Sequence, residues 1–121
     1  MLFRSDWRGS ARLVSAARGW IGAHARDGRP IRAADVAAAL NVSVRLLHLR
    51  FRETGGGTLR EAIEEARLAA VCERLRASDA PVDTVAAECG FASVSHLAAA
   101  FRRRFGLTMA RWRARHSAGA R

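Results

Sequence analysis

The segment from Val82 to Trp112, VDTVAAECGFASVSHLAAAFRRRFGLTMARW, changes from one helical pattern to another at a single glycine. Val82, Val85, Ala86 and Cys89 fall at i, i+3, i+4 and i+7, which places them on one face of an α-helix. Gly90 then follows, and glycine adopts the left-handed conformation that ends a helix sharply. The segment therefore predicts two helices joined by a tight turn, the layout of a helix-turn-helix.

The second helix of this segment has one apolar side and one polar side. Phe91 is expected to fill the corner of the turn, and Ser93 is a suitable N-cap. Leu97, Phe101 and Phe105 recur at helical spacing and are expected to face the core. The remaining surface carries Val94, Ser95, Ala98, Ala99 and Arg102.

The same pattern occurs once more, at residues 32–53. A helix from Arg32 to Leu40 is followed by Asn41, the residue other than glycine that best tolerates a left-handed cap. Two such units in one order are harder to produce by chance than one. The corresponding residues are Val36, Ala37, Leu40, Asn41 and Val42 with Val85, Ala86, Cys89, Gly90 and Phe91, and Ser43, Leu47 and Phe51 with Ser93, Leu97 and Phe101.

A long helix is predicted between the two units, over residues 58–78. It follows a loop of three glycines and begins with Thr58 and Glu61, which have the spacing of a capping box. About 20 residues make a rod of roughly 30 Å. That length is close to the ~34 Å between successive major-groove faces of B-DNA, so the helix is expected to set the distance between the units. A plain connector is the alternative.

Two more helices complete an all-α fold of about seven helices. One spans residues 10–27, with His24 as a core histidine, and Gly28 and Pro30 end it. The other spans residues 108–115, with Thr108 as its cap and Trp112 packed against Phe101 and Phe105. Residues 1–9 are expected to be a disordered leader or linker, residues 10–115 the domain, and residues 116–121 a disordered tail.

The charge of the chain predicts a polyanionic partner. There are 21 basic residues against 11 acidic ones, a net charge of +10, and every basic residue is arginine. No acidic residue follows Glu88, whereas seven arginines do. Such a surplus is typical of nucleic-acid binding. The alternative is that arginine reflects genomic base composition and only aids solubility.

The sequence offers little support for catalysis, metal binding or membrane insertion. The four histidines are dispersed, and no nucleophile–base pair or glycine-rich phosphate loop is present. Cys72 and Cys89 form no ligand-spaced pair and are expected to be reduced, buried thiols. No apolar run is long enough to span a membrane. We therefore expect a cytoplasmic, nucleoid-associated protein that is not an enzyme and needs no cofactor.

Residues 20–113 resemble the DNA-binding domain of the AraC/XylS family of bacterial transcription regulators. The resemblance implies seven helices, double-stranded DNA and RNA polymerase as partners, and in many members a separate effector-sensing or dimerisation domain N-terminal to this one. The chain is then either a part of a longer regulator or a small stand-alone one. The residues that carry the resemblance are Ser43, Leu47, Phe51, Ile63, Arg67, Leu68, Ala86, Cys89, Gly90, Phe91, Ser93, Phe101, Phe105, Gly106, Thr108, Trp112 and Arg113.

The candidate DNA contacts divide into base readers and phosphate binders. Arginine pairs bidentately with guanine, serine can donate or accept a hydrogen bond, and leucine, valine or alanine can touch a thymine methyl group. The candidate base readers are Arg45, His48, Leu49, Val94, Ser95, Ala98 and Ala99. The candidate phosphate binders are Ser43, Arg52, Ser93, Arg102, Arg103 and Arg104.

Two alternatives to this assignment remain open. Arg45 and His48 would be ordinary solvent-exposed residues if the first unit does not read bases. Leu49 and Ala99 also stand where many members of the family place an arginine that contacts a base or a phosphate. A basic helical protein that binds nucleic acid without sequence preference is the alternative function. We expect Arg45 and His48 to give the first unit more of the specificity.

Overall fold

The computed structural model describes residues 9–29 and 31–116, and this part of the chain is helical without strands. Gly9 is the N-cap of the first helix and His116 lies inside the last one, so the helical region reaches one residue beyond the predicted tail boundary. The predicted leader and tail otherwise lie outside the described residues. The helices are α1 Ser10–Arg26, α2 Ala33–Ala39, α3 Val44–Thr54, α4 Leu59–Ala77, α5 Val82–Glu88, α6 Val94–Phe105 and α7 Met109–His116.

The chain forms two compact units, Met1–Ala66 and Arg67–Arg121, and the boundary falls inside α4. Each unit has its own hydrophobic core, and every core residue is apolar. The fully buried residues with the largest side chains are Leu13, Ile21, Val36, Leu47, Phe51 and Leu59 in the first unit, and Leu68, Val71, Leu75, Val85, Leu97 and Phe101 in the second.

The two predicted corners have the same backbone hydrogen bonds. At the first, Val42 N–H donates to Ala37 O at 3.0 Å, and Asn41 N–H donates to Ala38 O at 3.1 Å. At the second, Phe91 N–H donates to Ala86 O and Gly90 N–H donates to Ala87 O, at 3.0 and 3.4 Å. This pair of bonds is the Schellman motif, which satisfies the last carbonyls of a helix.

The residue at the centre of each corner is left-handed. Asn41 has φ 59° and Gly90 has φ 85°, and Asn41 is the only residue other than glycine with positive φ in the described range. Phe91 is buried at its corner, whereas the corresponding Val42 is half-buried against the first core. The repeat predicted from sequence therefore extends to backbone conformation.

The predicted helix caps are present. Ser43 Oγ accepts a hydrogen bond from Leu46 N–H at 3.0 Å, and Ser93 Oγ accepts one from His96 N–H at 3.0 Å. Thr108 Oγ1 accepts one from Arg111 N–H at 3.2 Å. These bonds satisfy amide groups that a helix start leaves without an internal partner, and so they set where α3, α6 and α7 begin.

The capping box at the start of α4 forms in both directions. Thr58 N–H donates to Glu61 Oε1 at 2.8 Å, and Glu61 N–H donates to Thr58 Oγ1 at 3.1 Å. The reciprocal bonds confirm the capping box predicted from the spacing of these two residues.

In the second unit, α7 is held by a ring cluster and by one arginine. Trp112 packs edge-on against Phe101, with ring centroids 6.1 Å apart, and lies 6.4 Å from Phe105. Arg113 donates from Nε to Leu75 O at 3.2 Å and from Nη2 to Ser78 O at 3.0 Å. A guanidinium at these carbonyls favours the C-terminal end of α4, where the helix dipole is negative.

Replacing Gly90 should destabilise the second unit. A Cβ atom at this position would lie 3.2 Å from Arg67 Nε, and its φ of 85° is unfavourable for L side chains. We expect Gly90→Ala to lower the free energy of unfolding by about 1–2 kcal/mol.

The matched control for this change is Gly19→Ala in α1. Gly19 is helical, and an added Cβ would meet nothing within 4 Å. Alanine there should raise stability by about 0.5–1 kcal/mol. Urea unfolding followed by circular dichroism measures both variants. Changes of the same sign would contradict a conformational requirement at Gly90.

Candidate nucleic-acid interface

Helix α3 has a buried side and an exposed basic side. Leu47 and Phe51 are fully buried, which turns the opposite side of the helix outward. Arg45, Leu49 and Arg52 are exposed there. The predicted reader His48 is only half-buried, at the margin between the two sides. These residues follow each other at i, i+3, i+4 and i+7, so α3 presents them as one continuous stripe.

Helix α6 has the same division but smaller side chains outward. Leu97 and Phe101 are fully buried, and Phe105 is half-buried. The four predicted base readers on this helix are all exposed, and none is longer than valine. The exposed readers are Val94, Ser95, Ala98 and Ala99. To contact bases through these short side chains, the backbone of α6 would therefore have to lie close to the bases.

The two capping serines lie at the exposed N-terminal ends of these helices. Ser43 and Ser93 each use their oxygen to accept a backbone hydrogen bond, which leaves the hydroxyl hydrogen available to donate. Helix N-termini also carry partial positive charge. The two ends therefore have the donors that a phosphate oxygen requires, and the phosphate contacts of Ser43 and Ser93 stay a prediction.

Three consecutive arginines occupy the last turn of α6. Arg102, Arg103 and Arg104 are all exposed. Arg104 also places its guanidinium 4.8 Å from the ring centroid of Phe105, a cation–π contact that restricts where this side chain lies. There are no acidic residues in α6 or α7, so the positive potential of this surface is not offset locally.

The C-terminal end of α3 is fixed by side chains from α1. Arg18 Nη2 donates to Gly56 O at 3.1 Å, and its guanidinium lies 5.3 Å from the centroid of the Phe51 ring. Ser10 Oγ donates to Glu53 Oε1 at 2.5 Å. These contacts link α1 to α3 and to the loop that follows it. Neither Ser10 nor Arg18 was identified from sequence, because pairs 38 and 43 residues apart leave no local pattern.

Glu53 is the centre of a small ionic network. The Ser10 hydroxyl and the Arg50 guanidinium, whose Nη1 lies 2.8 Å from Glu53 Oε1, hold the pKa of the Glu53 carboxyl below its usual value. A carboxyl with a lowered pKa stabilises the fold above its unfolded pKa, and this contribution is lost as the pH falls through the folded pKa. Because Glu53 is exposed, solvent screening keeps the contribution small.

Replacing Glu53 should change the pH dependence of stability in acid. We expect Glu53→Gln to lower the thermal midpoint slightly at pH 7, and the difference from wild type to disappear as the pH falls through the lowered pKa of the folded-state carboxyl. Thermal unfolding between pH 7 and pH 3 measures it. Glu73→Gln, at an exposed position of α4, is the matched control. A Glu53→Gln difference that persists unchanged at pH 3 would mean that the carboxylate charge plays no part.

Arg74 of α4 contacts the end of α5, at the corner of the second helix-turn-helix. Its Nε lies 3.2 Å from Glu88 Oε1, and its Nη1 lies 3.4 Å from Cys89 Sγ. Burial raises the pKa of the Cys89 thiol, which opposes a role as a thiolate nucleophile. Cys72 and Cys89 are both buried, as predicted, and neither forms a disulfide in the described part of the chain.

Two tryptophan–histidine pairs were not predicted, one between half-buried residues of α1 and one between buried Trp112 and exposed His116. His24 stacks on Trp20 with ring centroids 3.7 Å apart, and His116 stacks on Trp112 at 4.2 Å. Each histidine Nδ1 lies within hydrogen-bond distance of the tryptophan carbonyl, at 3.0 and 2.9 Å. The i, i+4 spacing was visible in the sequence. His24 thus has a polar partner, as expected, but it is part-buried and not in the core.

The described residues contain no group of three or more metal-ligating side chains close enough to hold a metal ion. Their helices also include none with the length and apolarity needed to cross a lipid bilayer.

The comparisons with known proteins agree with this geometry. A helix-turn-helix domain family model matches residues 36–115, from within the first helix of the first helix-turn-helix to the last helix, α7. The chain is 35% identical over 71 residues to the transcriptional activator RhaS of Klebsiella pneumoniae, covering 59% of this chain and 26% of RhaS. It is 36% identical over 83 residues to the transcriptional activator NphR of a Rhodococcus species, covering 69% of this chain and 24% of NphR. The chain thus spans about a quarter of the length of these curated relatives.

Solved structures show the same fold. An AraC-type transcriptional regulator from Chromobacterium violaceum superimposes with a TM-score of 0.79 at 23% identity, covering 92% of this chain and 97% of that one. The DNA-binding domain of AdpA, crystallised in complex with a target DNA, has a TM-score of 0.70 at 30% identity and covers 88% and 90% of the two chains.

Fold and exposed surface together define a protein with two helix-turn-helix units, each with one outward-facing recognition helix. The chain belongs to the AraC/XylS family of helix-turn-helix DNA-binding domains.

Proposed function

We propose that this chain binds double-stranded DNA in a sequence-specific manner and regulates transcription, with α3 and α6 as the recognition helices for two adjacent major-groove segments. The main support for this proposal is that both helices bury corresponding apolar residues. Each also exposes a stripe of residues that contains arginine and no acidic residue. RhaS and NphR are described as transcriptional activators, which supports the regulatory role.

The two helices would contribute differently. On α3, Arg45 and His48 have the length and the donors to reach base edges, and Leu49 adds an apolar contact. On α6 the predicted readers are short, so most of its affinity would come from phosphates. Arg52 and Arg102 would contact the backbone together with Arg103, Arg104, Ser43 and Ser93.

The remaining parts of the proposal concern the biological setting. The protein would act in the bacterial cytoplasm on the nucleoid, as a regulator and not as an enzyme. RNA polymerase would be its partner in transcription, and a separate effector-binding or dimerisation domain would control it. The regulatory part of this setting is supported by RhaS and NphR, which are described as transcriptional activators.

Selection from a random duplex pool tests the specificity. We expect one preferred site of about two helical turns to be enriched at moderate salt. The alternative is binding driven by phosphate contacts alone, which enriches no sequence and weakens uniformly as salt rises. Equal affinity for all duplexes would leave only that non-specific function.

Two arginine substitutions test how the contacts divide. Arg45→Ala should relax base preference at one position, at a cost of about 1–3 kcal/mol for the preferred base. Arg102→Ala should weaken binding to all sequences and reduce the slope of log K against log salt by about 1. Fluorescence anisotropy titrations at several salt concentrations measure both. If both variants lose affinity equally for preferred and random duplexes, the base-reading role of Arg45 is wrong.

A further inference from the structure

Two large apolar side chains are exposed in the described part of the chain, and both lie on recognition helices. Leu49 on α3 is 39% exposed and Val94 on α6 is 38% exposed. Other large apolar side chains on these helices, such as Leu47 and Phe101, are fully buried. The exposed parts of Leu49 and Val94 lie on the outward faces of α3 and α6, where a partner bound to these helices would cover them.

The surroundings of these residues indicate what kind of partner they contact. Leu49 lies on one stripe with Arg45 and Arg52, both exposed. Val94 follows the exposed cap Ser93 on the helix that ends in three exposed arginines. A protein-docking surface is usually a contiguous apolar patch of several hundred Å². Here each unit instead offers one apolar side chain on a helix with exposed arginines, which suits a polyanion that presents isolated apolar groups.

Duplex DNA has this chemistry in its major groove. Among the base-pair edges there, the 5-methyl group of thymine is the apolar feature, and it lies beside hydrogen-bonding groups and between two phosphate backbones. On α6 the neighbours Ser95, Ala98 and Ala99 are small, so Val94 would meet no longer side chain that holds the helix away from the bases.

We propose that Leu49 and Val94 each contact a pyrimidine 5-methyl group, so that the protein recognises one thymine in each half of its site by its methyl group. This inference rests on the proposed function, because it requires both helices to enter the major groove. It adds that the second unit, which lacks long hydrogen-bonding readers, still selects sequence through an apolar contact.

A second consequence concerns modified DNA. Cytosine carries a hydrogen at C5, where thymine has its methyl group, and 5-methylcytosine restores a methyl at the same place in the groove. A side chain that recognises the methyl group would therefore respond to cytosine methylation at these two positions. The ligand class of each contact is thus a 5-methylpyrimidine in duplex DNA.

Deoxyuridine substitution tests the methyl contact at one thymine at a time. In the duplex obtained by selection, each thymine is replaced in turn by deoxyuridine, which pairs with adenine in the same way but lacks the methyl group. We expect two positions, one in each half-site, at which affinity falls about fourfold, the loss expected when one methyl group no longer becomes buried. Replacing the same two thymines by cytosine, paired with guanine, should weaken binding, and 5-methylcytosine should recover part of it.

Variants of Leu49 and Val94 show which of the two residues contacts each methyl-dependent position. Leu49→Ala should bind equally well to duplexes with thymine or deoxyuridine at the methyl-dependent position of the first half-site. Val94→Ser should show the same loss of discrimination at the position in the other half-site. Leu49→Met keeps an apolar tip and should retain the methyl dependence. Both wild-type residues are exposed, so the variants should keep the thermal midpoint of the wild type, which circular dichroism checks.

The outcomes separate this inference from the proposed function. If selection yields a preferred site but no thymine position depends on its methyl group, methyl recognition is overturned and sequence-specific binding stands. If methyl-dependent positions exist but remain dependent in Leu49→Ala and Val94→Ser, these residues are not the readers. If no site is selected, the proposed function itself fails.

Discussion

The backbone hydrogen bonds from Val42 to Ala37 and from Phe91 to Ala86 are the interactions on which both units depend. Each of these bonds closes the end of a helix and lets the chain change direction within two residues. That turn requires a left-handed residue directly before Val42 or Phe91, the residue that fills the corner. The recognition helix, which begins after the capping serine, takes its direction from this turn. A corner that did not close would leave the apolar side of α3 or α6 without its core, and the outward face would lose its orientation.

Much of the fold could be predicted because its determinants are local. Caps, the capping box and the turn at Gly90 all depend on residues within four or five positions, and the helical periodicity of the cores is equally local. The internal repeat strengthened this inference, since the same pattern in two places also predicted the same backbone at Asn41 and Gly90. The helix ends differ from the predicted ones by one residue, as where His116 lies inside α7, and such differences fall within the usual uncertainty of helix boundaries.

The side chains that hold the recognition helices in place could not be predicted in this way. Arg18 reaches Gly56 and Phe51, and Arg113 reaches the carbonyls at the end of α4, across separations that no sequence pattern records. The large number of arginines made these roles harder to predict, because the sequence does not distinguish an arginine that stabilises the fold from one that faces DNA. The exposed stripes themselves were predictable from periodicity, but the DNA contacts of their residues remain predictions.

The exposed basic surface of α6 is built only from guanidinium groups, and the whole chain has no lysine. Lysine acetylation, which elsewhere removes positive charge from DNA-binding surfaces, has no side-chain target here. Control over DNA occupancy must therefore act through something other than acylation of this surface, such as ligand binding, protein association or the amount of protein made.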